Sequence, residues 1–95
     1  MTNEIIENSV KSLLTKYNAE YAVLFGSYAR GEASETSDID IVVFGGDKFK
    51  KTSIFAFGED LREMTSLAVD AFEISEIDPD SSIYESVMRE GVQIA

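Results

Sequence analysis

The chain has no cysteine and no histidine, a single proline, and only 8 basic residues against 18 acidic ones. Each shortage removes a class of chemistry. Without cysteine there are no disulfides and no thiolate nucleophile, a composition that fits a reducing, cytoplasmic setting. Without histidine there is no Ser–His triad, no imidazole base and almost no route to a protein-bound zinc. Any metal must therefore be held by oxygen, which points to Mg²⁺ or Mn²⁺. The formal charge of −10 argues against direct binding of nucleic acid, which depends on clustered Lys and Arg. Most of the acidic side chains read as a solvated surface; the alternative is a basic protein partner. No apolar run approaches the roughly 20 residues of a membrane-spanning helix. The start, Met1-Thr2-Asn3-Glu4, lacks the basic and apolar segments of a signal peptide, so neither export nor a membrane is expected.

What is present is one domain's worth of alternating helix and strand signals. Ninety-five residues, 44% of them hydrophobic, allow a single core that buries somewhat more than ~60% of the extended chain's surface. Ile5, Ile6, Val10, Leu13, Leu14 and Tyr17 recur at helical spacing and predict a helix over about 3–17, stopped at Asn18. A strand over about 20–25 leads into Gly26-Ser27 and a short helical segment, Tyr28-Ala29-Arg30, closed by Gly31. A polar loop, 32–37, precedes a second strand over 38–44. Lys48-Phe49-Lys50-Lys51-Thr52 reads as an exposed connector to a second long helix, Ser53 to Thr65, whose apolar face is Ile54, Phe57, Leu61 and Met64. Gly58 inside it costs about 1 kcal/mol relative to Ala. Residues 67–74 form a third strand that Pro79 prevents from continuing. Ser82-Ile83-Tyr84-Glu85 is a capping-box pattern that opens a last helix, Gly91 closes it, and 92–95 is a tail or edge strand.

The chemistry concentrates in Gly26-Ser27 and Asp38-Ile39-Asp40. A Gly-Ser bend opening a helix can hold phosphate on backbone N–H groups, with Gly26 leaving room where a Cβ would collide. Strand alternation puts Asp38 and Asp40 on one face, with Ile39, Ile41 and Val43 on the other, against the helices. Two carboxylates ~4 Å apart at an effective dielectric of ~20 repel by about 4 kcal/mol, which a proton or a cation must relieve. The plain alternative is a solvated Ser-Asp turn. Asp70 interrupts an otherwise apolar strand. If that strand lies beside the second in register, it completes an oxygen site; otherwise it is an edge residue facing water. Glu73 falls on the opposite face from Asp70. Ser27 either binds phosphate or merely caps the helix. Arg30 either reaches a phosphate or pairs with Glu32 or Glu35. No Gly-Lys-Ser/Thr follows the bend, so it is not the P-loop of a nucleotide hydrolase.

Leu24-Phe25-Gly26-Ser27-Tyr28-Ala29-Arg30-Gly31 followed by Thr36-Ser37-Asp38-Ile39-Asp40-Ile41-Val42 resembles the nucleotidyltransferase superfamily that includes DNA polymerase β and kanamycin nucleotidyltransferase. With Val69-Asp70-Ala71-Phe72 and the stretch from Ile83 to Val92, the likeness is greatest to the minimal, single-domain MNT or MntA-like antitoxins and covers nearly the whole chain. It implies an α/β (α+β) fold: a mixed sheet with helices packed mainly on one face and a metal site on the other, in one minimal nucleotidyltransferase domain over 1–95. It also implies that Asp38 and Asp40 bind both of two Mg²⁺ ions and that Asp70 binds the catalytic one. For ATP, the residues themselves put forward Gly26, Ser27 and Arg30 as the binding set. One ion would organise the triphosphate and the other would activate an acceptor hydroxyl, so that no histidine is needed. Minimal members are typically paired with a HEPN-domain RNase toxin, and some transfer AMP from ATP to a tyrosine of it. The resemblance thus implies a partner-modifying antitoxin. Two other readings stay open: an antitoxin that only sequesters its partner, and a nucleotidyltransferase of small molecules such as antibiotics.

Overall fold

The structure, a computed structural model, describes residues 3–34 and 36–95. Met1, Thr2 and Glu35 lie outside the described residues, and so do part of the reading of the N-terminal start and any Arg30–Glu35 pair. The first helix, α1, spans Asn3–Tyr17 and buries Ile6, Val10, Leu13 and Leu14, the stripe that helical spacing demands. Asn18 ends it with φ 60°, a left-handed turn that asparagine tolerates better than most residues. Strand β1, Tyr21–Phe25, leads into the four-residue helix α2, Ser27–Arg30, and then the polar loop before β2, Ile39–Phe44. Helix α3 is Ser53–Thr65, β3 is Val69–Glu73, α4 is Ser82–Glu90 and β4 is Val92–Ile94.

The strands form one mixed sheet in the order β3-β2-β1-β4. β1 is antiparallel to both β2 and β4, while β3 runs parallel to β2 with Asp40 opposite Asp70. The expected α/β (α+β) fold, a mixed sheet with helices mainly on one face, is what the chain adopts. Alternation divides each strand between two cores. Ala22, Leu24, Ile39, Ile41 and Val43 face α1 and α3, together with Phe57, Leu61 and Ile94. Val23, Phe25 and Val42 face the other way, under Val87 of α4 and beside Phe72. One helix therefore does share the face that carries the site. On the far side α1 and α3 are joined through Asp60, which accepts from Lys16 Nζ at 2.7 Å and from the Tyr17 hydroxyl at 2.6 Å.

Several local expectations give way to packing. Phe49 is buried rather than part of an exposed connector, and the backbone at Gly45 leaves it room, since a Cβ there would strike its ring. Met64 is exposed; Thr65 takes the buried place and returns its hydroxyl to the Leu61 carbonyl at 2.7 Å. Gly58 stays within α3, where a Cβ would meet only ordinary contact with Ala71. β3 ends at Glu73, and Ile74–Glu76 forms a 3-10 turn capped by the Glu73 side chain, which accepts from the Ser75 amide at 2.9 Å. The cap of α4 is Ser81, not Ser82: the Ser81 hydroxyl accepts from the Tyr84 amide at 3.2 Å. Gly91 closes α4 in an extended rather than a left-handed conformation, and the tail is the edge strand β4.

Candidate active site

The bend after β1 is built on Gly26, whose φ of 75° and ψ of −155° are open to glycine alone. It is the N-cap of α2, so Ser27 is the first helical residue and not the cap. The Gly26 carbonyl accepts from the Arg30 amide at 3.1 Å, and Gly31, at φ 72°, ends the helix as expected. A second reason for glycine lies across the strand pair. Phe25 is the register partner of Asp40, and a Cβ on Gly26 would collide with Oδ2 of Asp40 and stand 3.2 Å from its Cγ. The bend thus holds bare backbone directly against a carboxylate.

Asp40 is half-buried between Phe25 of β1 and Asp70 of β3, both in register with it. Its pKa is raised to about 6, first by burial, then by the charges of Asp70 and Asp38 and by hydrogen bonding with Asp70, while the Arg30 charge pulls it down. Asp38 sits one residue before β2, exposed, and Asp70 is exposed on β3. Among the described residues, no three acidic side chains already stand together as a closed metal cluster. The sheet joins Asp40 and Asp70, and the charge of Asp38, one residue before β2, reaches Asp40. The residues fit a divalent ion in donor type and in electrostatics. They are all oxygen donors, and the carboxylate repulsion that helps raise the Asp40 pKa is what a cation would relieve.

Arg30 is engaged elsewhere. Its Nε donates to Glu32 at 3.2 Å and its Nη1 to Glu90 at 3.1 Å, and the hydrogen bonds to Glu32 and then Glu90 raise its pKa. Of the two readings of Arg30, the pair with Glu32 is what the structure contains. Glu90 was not visible from sequence, because its partner lies 60 positions away on a different element. Glu73 lies on the face away from Asp70, as alternation requires. It is buried and accepts from the Gly45 amide at 3.3 Å and from Ser75, so it anchors two turns rather than the site. A cavity of about 480 Å³ lined by Leu14, Asn18, Glu20, Gly45 and Lys48 opens at the opposite end of the sheet, away from the carboxylates.

A glycine bend leading into a short helix, with paired aspartates on adjacent parallel strands of a mixed sheet, is the arrangement expected of a nucleotidyl-transfer domain. Residues 8–95 match the family model for polymerase beta-type nucleotidyltransferases, and the chain belongs to that family. It is 32% identical over 89 residues to a candidate protein adenylyltransferase of Methanocaldococcus jannaschii, covering 94% of each chain. It is 33% identical over 84 residues to the protein adenylyltransferase MntA of Thermococcus cleftensis, covering 88% of this chain and 83% of that one. A solved toxin–antitoxin structure with AMP-PNP superposes with a TM-score of 0.80 at 25% identity, over 94% of this chain and 72% of that one.

Proposed function

We propose that the protein transfers AMP from Mg-ATP to a hydroxyl, that of a tyrosine, on a partner HEPN RNase toxin, and so acts as the antitoxin of a toxin–antitoxin pair. The observation that carries the proposal is the register of Asp40 with Asp70 beside the Gly26 bend. The relatives add direction: MntA is a protein adenylyltransferase, and the superposed chain comes from a toxin–antitoxin complex that contains an ATP analogue.

In this reading the bare backbone at Gly26 and the amide of Ser27 receive the triphosphate. Asp38, Asp40 and Asp70 hold two Mg²⁺ ions, with Mn²⁺ able to substitute. Bound there, the metal would offset the charge of triphosphate and carboxylates and increase the acidity of the acceptor hydroxyl. The hydroxyl oxygen attacks the α-phosphorus. The new O–P bond forms as the bond to the β-phosphate oxygen breaks, pyrophosphate leaves, and the hydroxyl proton passes to solvent. Asp70, more exposed than Asp40, stands on the side from which an acceptor approaches. The half-buried Asp40 shapes the floor. Residues 1–95 would form one minimal nucleotidyltransferase domain, and the −10 charge would suit a basic partner.

The test is co-expression with a HEPN-type toxin, sought in the neighbouring reading frame, together with transfer of labelled AMP to the purified toxin. Parent protein should label and neutralise it, and Asp40→Asn/Asp70→Asn should do neither at equal abundance. Full protection by the double variant would mean that the protein acts by sequestration. Labelling of small acceptors but not of the toxin would make it a small-molecule nucleotidyltransferase.

A further inference from the structure

β3 is the edge of the sheet on the side of the site: among the described residues it pairs with β2 alone. The Ile39 amide donates to the Ala68 carbonyl at 2.9 Å, which sets the phase of the parallel ladder. With that phase, Asp70 and Phe72 turn their backbone groups toward β2, and Val69 and Ala71 turn theirs outward. Alternation then separates the side chains. Asp70 points to the face of Asp40, while Val69 and Ala71 point to the other face. There they form one wall of a groove whose other wall is Ile54, Phe55, Gly58 and Arg62 of α3. Phe55 is 76% exposed there, the largest exposure among the large apolar side chains of the described residues.

We propose that this edge seats the acceptor: an extended segment of the modified protein adds as an antiparallel strand beside β3, with its hydroxyl residue opposite Asp70. The inference rests on the adenylyl-transfer reading and deepens it. A residue opposite Asp70 occupies a non-hydrogen-bonded position, where paired Cα atoms approach to about 4.5 Å and side chains come closest. Its side chain projects to the face that holds Asp70 and Asp40. Its two neighbours bond the outward groups of Val69 and Ala71 and send their side chains into the Phe55–Gly58 groove. A single added strand thus delivers the hydroxyl and anchors it. Charge selects the occupant. Asp38 and Asp70 are exposed at this edge of a chain whose formal charge is −10, so a segment with basic residues two positions either side of the hydroxyl residue is favoured. A second copy of this chain would bring Asp70 of its own strand to the same edge, and like charges oppose that pairing.

The probe is a short synthetic peptide with a central tyrosine, valine on both sides of it and lysine beyond each valine. Its control carries N-methyl groups on the two valine amides, which keeps the side chains and removes the strand hydrogen bonds. Amide exchange of the full chain is followed by NMR with each peptide. The peptide should slow exchange at the Ala71 amide at least 10-fold and the control should not, with Asp70 and Phe72 changing little. AMP transfer to the peptide should exceed transfer to the control at least 10-fold in kcat/KM. No slowing with either peptide, or equal slowing with both, overturns the docking edge. Transfer to tyrosinamide reports separately on the chemistry. If it is absent while Ala71 is still protected, the docking edge holds and adenylyl transfer is what fails.

Discussion

Asp40 carries a stability cost that has a pH signature. Its carboxyl titrates at about 6 in the folded chain against an ordinary 3.8, because burial and then Asp70 and Asp38 disfavour the anion. Below about pH 3.8 both folded and unfolded chains hold the proton and there is no cost. Between 3.8 and 6 the folded chain keeps a proton that the unfolded chain releases, so stability falls as pH rises; above 6 the cost is complete. Asp40→Asn removes this titration. Allowing for solvent screening of a half-buried group, it should equal or exceed the parent in stability by on the order of 1 kcal/mol at pH 7 without metal. The advantage should shrink toward pH 4, as chemical denaturation across the range would show. Gly26→Ala should do the opposite. A backbone at φ 75° and ψ −155° costs about 1–3 kcal/mol for alanine, and the collision with Asp40 adds to it. Its melting temperature should fall and its ATP binding by calorimetry should vanish together. Both residues were legible in the sequence as Gly-Ser and Asp-x-Asp. What was hidden is that they touch, since nothing in the chain announces that Phe25 and Asp40 are register partners.

α2 and α4 are tied through Arg30, which sits between Glu32 and Glu90. Its charge also reaches Asp40, where it lowers the carboxyl pKa. Arg30→Ala should therefore raise the Asp40 midpoint above that of the parent, a shift that a carbon-detected NMR titration of the Asp40 carboxyl would register. The loss of global stability should stay within about 1 kcal/mol, because both pairs are partly exposed. Elements with a strong period were read from sequence almost to the residue: α1 at Asn3–Tyr17 and α3 at Ser53–Thr65. The misses are places where a tertiary neighbour decided. Phe49 looks solvent-bound among three lysines, yet the sheet's far face has a hole for it. Ser81 and Ser82 are both good caps, and the backbone chose the first. The 3-10 turn after β3 exists because the Glu73 carboxylate can fold back on Ser75, a contact that no periodicity encodes.

At the scale of the whole molecule, the carboxylates make the fold responsive to cation. Ions that bind only the folded chain stabilise it by about 2.7 kcal/mol at 100 times their dissociation constant. Mg²⁺ or Mn²⁺ should therefore raise the melting temperature of the parent, whereas Asp40→Asn/Asp70→Asn should melt at one temperature with or without them. An equal rise in both proteins would place the ions elsewhere on the acidic surface. The two-sided character of the sheet was readable from alternation, and so was the setting of Asp40 opposite the face that most helices cover; which helix shares the side of the carboxylates was not. The sequence presents two long amphipathic helices and a shorter last one, and only folding shows that the two back the sheet while the last shares the side of the carboxylates.

That unequal covering has a dynamic consequence. One side of the sheet is roofed by a nine-residue helix that buries only Val87, and the adjoining β4 is three residues long. The opposite side is sealed by two helices of 15 and 13 residues, clamped together at Asp60. Breathing of α4 and β4 should thus require far less free energy than global unfolding, and their amides should exchange through a separate, shallower opening while those of β1 and β2 wait for the entire chain. The chain would then be able to loosen the roof beside Asp40 to admit or release a bulky nucleotide while its foundations stay shut.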